Sequence, residues 1–154
     1  MVETEYIKLR GALQIALCDP EGKIILERKV NNLLVTAGRA FVLGQLQTVN
    51  HITSQNISQF AIGSNTNAPV TGDTALGNEV VRKAIDSFVT TGLTGPVPSW
   101  QAIISFSTAQ GNTTLAEAGL FNSSAGGTML AHATYASFVK ATSNTLNFTY
   151  TISG

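Results

Sequence analysis

Near its C-terminal end the chain alternates strictly. Leu146, Phe148, Tyr150 and Ile152 share one parity, and Thr145, Asn147, Thr149 and Thr151 share the other. Successive side chains of an extended strand point to opposite faces, so this segment predicts a strand with one apolar and one polar face. The same period recurs at Ile7, Leu9, Leu13, Ile15 and Leu17, opposed by Lys8, Arg10 and Gln14. It returns at Ile24, Leu26 and Val30 against Lys23, Glu27 and Lys29, and again at Trp100, Ala102, Ile104 and Phe106.

Turn signals separate these runs. Asp19-Pro20-Glu21-Gly22 joins the first two into a hairpin, with Pro fixing φ and Gly accepting a positive φ. Asn31-Asn32 breaks the second run, and Thr36 then caps a helix over about residues 36–47, with Ala37, Ala40, Phe41 and Gly44 on one side. Residues 60–62 read as a short strand and residues 80–89 as another. Between them, residues 63–73 are rich in Asn, Thr, Ala and Pro and suit a surface contact loop. Gln110-Gly111-Asn112 turns the chain, and Asn122-Ser123-Ser124-Ala125-Gly126-Gly127 forms a hairpin loop between strands at 115–121 and 128–135. Many short strands with turns between them predict a mainly β fold. The expected architecture is a single antiparallel β-sandwich or barrel-like domain over residues 1–154, with one short α-helix and an N-terminal arm before residue 7. A lone helix among strands is expected to plug one end or face of the sandwich.

Charge is the second constraint. Only 12% of the residues are charged, about half the usual share of roughly 25%, and the formal net charge is zero. Binding to nucleic acid rests on clustered Lys and Arg, so nucleic acid is not expected as a partner. From Leu93 to Gly154 the only charged residues are Glu117 and Lys140. Interface cores are depleted of charge, so a long uncharged half predicts a surface covered by other subunits. The single cysteine, Cys18, forms no internal disulfide, which suits folding in a reducing cytoplasm. The acidic start, Met1-Val2-Glu3-Thr4-Glu5, lacks the layout of a signal peptide, and no apolar run approaches the roughly 20 residues that span a bilayer. Neither secretion nor a membrane is expected.

No recognisable catalytic pattern occurs. Cys18 is far in sequence from His51 and His132, and on a half-buried strand it reads as a small apolar filler. No Gly-x-Ser-x-Gly elbow, phosphate loop, zinc spacing or calcium loop is present. The expectation is a protein with no enzymatic activity, no metal and no cofactor. Glu117, within Ala116-Glu117-Ala118-Gly119, reads as a buried acid that holds a neighbouring loop through hydrogen bonds. Trp100 shares its face with Ala102, Ile104 and Phe106, which predicts a core position.

Three stretches, taken in order, carry a resemblance. They are Asn32-Leu33-Leu34-Val35-Thr36-Ala37-Gly38-Arg39; Ala61-Ile62-Gly63-Ser64 leading to Asp73-Thr74-Ala75-Leu76, Glu79-Val80 and Arg82; and Ala116-Glu117-Ala118-Gly119-Leu120-Phe121-Asn122 followed by Gly126-Gly127-Thr128-Met129-Leu130-Ala131. Together they resemble a group of small tailed-bacteriophage virion structural proteins, of the capsid decoration (cement) or tail-fibre-like kind. The resemblance implies a β-rich module without catalysis, made in the bacterial host cytoplasm and packed on the particle as a homo-oligomer. A cement protein is favoured, with the major capsid protein and its own copies, as a homotrimer, for partners. The alternatives are a tail or fibre-associated protein, with tail proteins for partners, and a carbohydrate-binding β-sandwich. The contact residues expected are Glu5 and Tyr6 of the arm, Asn65, Thr66, Asn67 and Pro69 of the 63–73 loop, and Ser123, Ser124 and Gly126 of the hairpin tip.

Overall fold

A computed structural model of the chain describes residues 8–45, 56–94 and 96–154. The alternating runs form strands β1 (Arg10–Cys18), β2 (Ile24–Leu34), β3 (Gln59–Gly63), β4 (Glu79–Ala84), β5 (Ser87–Val89), β6 (Ser99–Phe106), β7 (Thr114–Phe121), β8 (Met129–Val139) and β9 (Thr145–Ser153). One helix, α1 (Thr36–Gln45), lies between β2 and β3, and a 3-10 turn spans Thr91–Thr94. The strands make one antiparallel sheet in the order β4-β3-β7-β8-β2-β1-β9-β6-β5. This is the mainly β, sandwich-like or half-barrel fold that the alternation predicts.

The sheet folds on itself at β2. Residues 24–32 of this strand pair with β1, and only Leu33 and Leu34 pair with β8, opposite His132 and Ala131. Asn31-Asn32 therefore does not end the strand as expected; the ladder continues and changes partner there. The fold brings Phe60 of β3 against Phe148 of β9, with ring centroids 4.9 Å apart, and Phe106 and Tyr150 complete the aromatic centre. The parity set of β9 is buried as read: Leu146, Phe148, Tyr150 and Ile152 all join the core with Leu13, Ile15 and Leu17. The first turn also forms as predicted, with Gly22 at φ +82° and the Asp19 carboxylate accepting the N–H groups of Glu21 and Lys23.

Residues 80–89 are not one strand. They divide into β4 and β5, which occupy opposite edges of the sheet although only Ile85 and Asp86 separate them in the chain. The cause is local. Asp86 Oδ2 accepts the N–H of Ser105 at 2.7 Å, Lys83 Nζ donates to the Ser105 carbonyl at 2.8 Å, and Lys83 pairs with Asp86. These side chains lace the two sheet edges together where no ladder does.

Helix α1 also departs in detail. The first helical bond runs from the Arg39 N–H to the Val35 carbonyl, which makes Val35 the N-cap and Thr36 the first helical residue. The buried residue of the helix is Gly38, whereas Ala40 and Gly44 are exposed. A Cβ on Gly38 would collide with the Leu130 backbone, so the helix lies almost directly on β8. It covers a face of the sheet, as a lone helix was expected to, and of the expected side Ala37 and Phe41 pack on the cores while Ala40 and Gly44 face outward. Leu46 and Gln47, the expected end of the helix, lie outside the described residues.

Candidate functional site

The outer face of β3, β7 and β8 carries the most elaborate polar structure in the molecule. On β7 the side chains of Glu117 and Phe121 share the parity of Gly119, and Ala61 and Gly63 of β3 sit beside them. The loop of residues 64–78 lies across this face. Leu76 packs with Val35, Ala61, Phe121 and Met129 in a small second core. A Cβ on Gly119 would press on Leu76, and one on Gly63 would strike the Glu117 carboxylate and the Asn78 carbonyl. Close approach, not backbone conformation, therefore requires Gly63 and makes Gly119 a tight fit.

Glu117 is fully buried beneath the loop. Its Oε1 accepts the N–H groups of Asn65 at 3.1 Å and Asn78 at 2.8 Å, and its Oε2 accepts that of Gly77 at 2.9 Å. His132 of β8 completes the set, with Nε2 3.0 Å from Glu117 Oε2 and Nδ1 2.8 Å from Asp73 Oδ2. The ring thus bridges the two carboxylates. Tyr135 donates its hydroxyl to the Glu117 carbonyl at 3.1 Å, and burial with the nearby Glu117 charge pushes its phenol well up. Burial works to raise the Asp73 pKa, but the N–H of Val70 and the hydrogen bond and charge of His132 outweigh it. The carboxyl is held below its ordinary value. The expectation that Glu117 holds a neighbouring loop is met, and its two helpers, His132 and Asp73, are additions.

Chemically the network is a clamp. Both nitrogens of His132 are engaged by carboxylates. Among the described residues no group of three or more His, Cys, Asp or Glu side chains is placed to hold a metal ion, and no helix is long and apolar enough to cross a membrane.

The expected contact residues divide among three places. Asn65, Thr66, Asn67 and Pro69 lie in the clamped loop, where Asn65 is fixed through its N–H and its Oδ1 accepts the Asn67 N–H at 3.1 Å. Thr66 and Asn67 are exposed; Pro69 is half-buried. Ser123, Ser124 and Gly126 lie at the β7–β8 hairpin tip, which a different residue anchors. Arg82 of β4 stacks 3.6 Å from the centre of the Phe121 ring and donates to the carbonyls of Ser123 at 2.9 Å and Gly126 at 2.8 Å, while pairing with Glu79. Glu5 and Tyr6 lie outside the described residues. Loop and tip are thus each held rigidly, by separate anchors.

Two further features were not anticipated. Trp100 is half-buried and packs on the margin of the core, not within it; it stands edge-to-face with Phe88, centroids 5.7 Å apart, in the wall of an apolar cavity of about 600 Å³ shared with Phe41, Ile57 and Leu130. Lys140 is only 1% exposed, its Nζ donates to Asn112 Oδ1 at 2.7 Å, and burial holds its pKa below the usual lysine value. Cys18 is a buried filler of the β1 end, as expected.

The chain matches no family model, no curated protein and no solved structure.

Proposed function

We propose that the chain is a non-enzymatic structural subunit of a tailed-phage particle, a capsid decoration protein that bridges neighbouring major capsid proteins and packs with its own copies as a trimer. The observation that carries this reading is how the sparse charge is buried. Glu117 and Lys140, the only charged residues after residue 92, are 0% and 1% exposed, and His132 is 3% exposed. The water-facing surface of described residues from this stretch is therefore built without a charged side chain. Isolated soluble domains keep mixed charge on their surfaces, whereas the centre of an interface sheds it.

The clamps support the same reading. A contact loop ordered in advance loses less entropy on docking than a mobile one. Glu117 and Arg82 order the 64–78 loop and the hairpin tip while leaving neutral polar groups outermost. Exposed Val139 adds an apolar point to the neutral surface.

The test is a count of copies in purified particles, by quantitative mass spectrometry against a labelled standard, with added chain on shells that lack it. The expected result is stoichiometric occupancy of the capsid lattice and a shell that withstands higher temperature. A few copies per particle would place the protein at the tail, and an unchanged shell would remove the cement role.

A further inference from the structure

We propose that the groove where the start of β1 meets the junction of β2 and α1 is a docking site for an acidic, extended segment of a partner subunit. Lys8, Arg10, Asn31, Asn32 and Arg39 line this concavity of about 580 Å³, together with leucines such as Leu33. The fold assembles it from three places in the chain: Lys8 and Arg10 at the entry to β1, the two asparagines near the end of β2, and Arg39 in the first turn of α1.

Among the described residues its charge has no partner. Arg82 and Lys83 are tied up in ion pairs with Glu79 and Asp86, and Lys140 is held by Asn112. Lys8, Arg10 and Arg39 make no ion pair and no side-chain hydrogen bond among the described residues. Arg39 stands where helix stability disfavours it, since a cation in the first turn opposes the positive end of the helix dipole, and no acid of that turn offsets it. A protein of zero net charge that gathers in one concavity three cations unpaired among the described residues presents a site for anions.

Asn32 narrows the class of ligand. Its side chain packs across Gly11 of β1, where a Cβ would collide with it, and both its Oδ1 and its Nδ2 are buried without a partner. Such groups are rare because each costs about 1–3 kcal/mol. A free donor beside a free acceptor is the complement of a peptide unit, and turning the carboxamide into the groove pairs both. Carboxylates on the flanking side chains then meet Lys8, Arg10 and Arg39, and apolar side chains between them meet the leucines. A nucleic acid is the poorer fit, because phosphate chains are met by longer basic stripes.

That the segment comes from a neighbouring subunit rests on the assembled-subunit reading; the chemistry of the groove does not. Calorimetric titration of the full chain with a short synthetic peptide alternating Glu and Leu tests the groove alone, so it can fail while copies are still counted on particles, and the reverse. The expected result is binding that weakens with salt and drops about tenfold, the equivalent of roughly 1.4 kcal/mol, on Arg10→Gln or Arg39→Gln. Both side chains are exposed, so neither variant threatens folding. The Gln-for-Glu peptide and inorganic phosphate are expected not to bind. Absence of peptide binding, binding indifferent to both substitutions, or tighter binding of a single-stranded oligonucleotide overturns the proposal.

Discussion

Glu117 of β7 and His132 of β8 meet at 3.0 Å beneath a loop that neither belongs to, and through them the sheet holds residues 64–78 in place. The carboxylate accepts three backbone N–H groups as well as the histidine. Glu117→Gln keeps the shape but turns an amide donor toward groups that are themselves donors. Breaking a buried charged pair on one side costs about 3–5 kcal/mol. Urea denaturation is expected to show a loss of that order, and hydrogen exchange to show the N–H groups of Asn65, Gly77 and Asn78 losing protection first.

Acid should open the same clamp. The Asp73 carboxyl sits below its ordinary value because the Val70 N–H and His132 together outweigh the effect of burial. A depressed folded-state pKa contributes stability that is present above the unfolded value, about 3.9, and is lost as pH falls through the folded value. The wild type is therefore expected to exceed Asp73→Asn in stability near neutrality, with the gap closing below about pH 4. Denaturation midpoints measured across that range check it, and a gap that persists at low pH contradicts it.

Gly38→Ala sets two effects against each other. Helix propensity favours Ala over Gly by about 1 kcal/mol. The added methyl would collide with the Leu130 backbone, and overpacking costs roughly 1–3 kcal/mol. The contact wins because the colliding atoms are backbone, so thermal melting should show a net loss of stability.

Much of the fold was legible because period two is a direct record of which side of a strand is buried: β1, β6 and β9 could be written down from parity alone. The division of residues 80–89 was not, since Ile85 and Asp86 continue a plausible strand and the Ser105 backbone that captures Asp86 is distant in sequence. Glu117 stood out as the only acid of its half, and its role as a loop anchor followed. His132 and Asp73 gave no such signal, being 59 residues apart, with neither unusual by itself. Trp100 misled for a physical reason: parity gives the face of a strand but not how far along that face the core extends. The basic groove was hidden in the same way, because the turn of β2 into α1 brings Arg39 to Lys8 and Arg10.

Tyr150 tests the core itself. Its ring is fully buried beside Phe60, its hydroxyl has no hydrogen-bond partner, and burial raises its pKa well above the ordinary value. An unpaired buried hydroxyl costs about 1–3 kcal/mol. Tyr150→Phe removes that group without leaving a large void, so the variant is expected to match or exceed the wild type by about 1 kcal/mol in denaturation.

If neighbouring copies cover the charge-free surface after residue 92, the purified chain must associate, which sedimentation velocity over a wide concentration range measures. Self-association to a trimer is expected as concentration rises, reduced when the exposed Val139 is replaced by Lys. A chain that stays monomeric at the highest concentration, with the variant indistinguishable from it, would contradict the claim that neighbouring copies cover that surface.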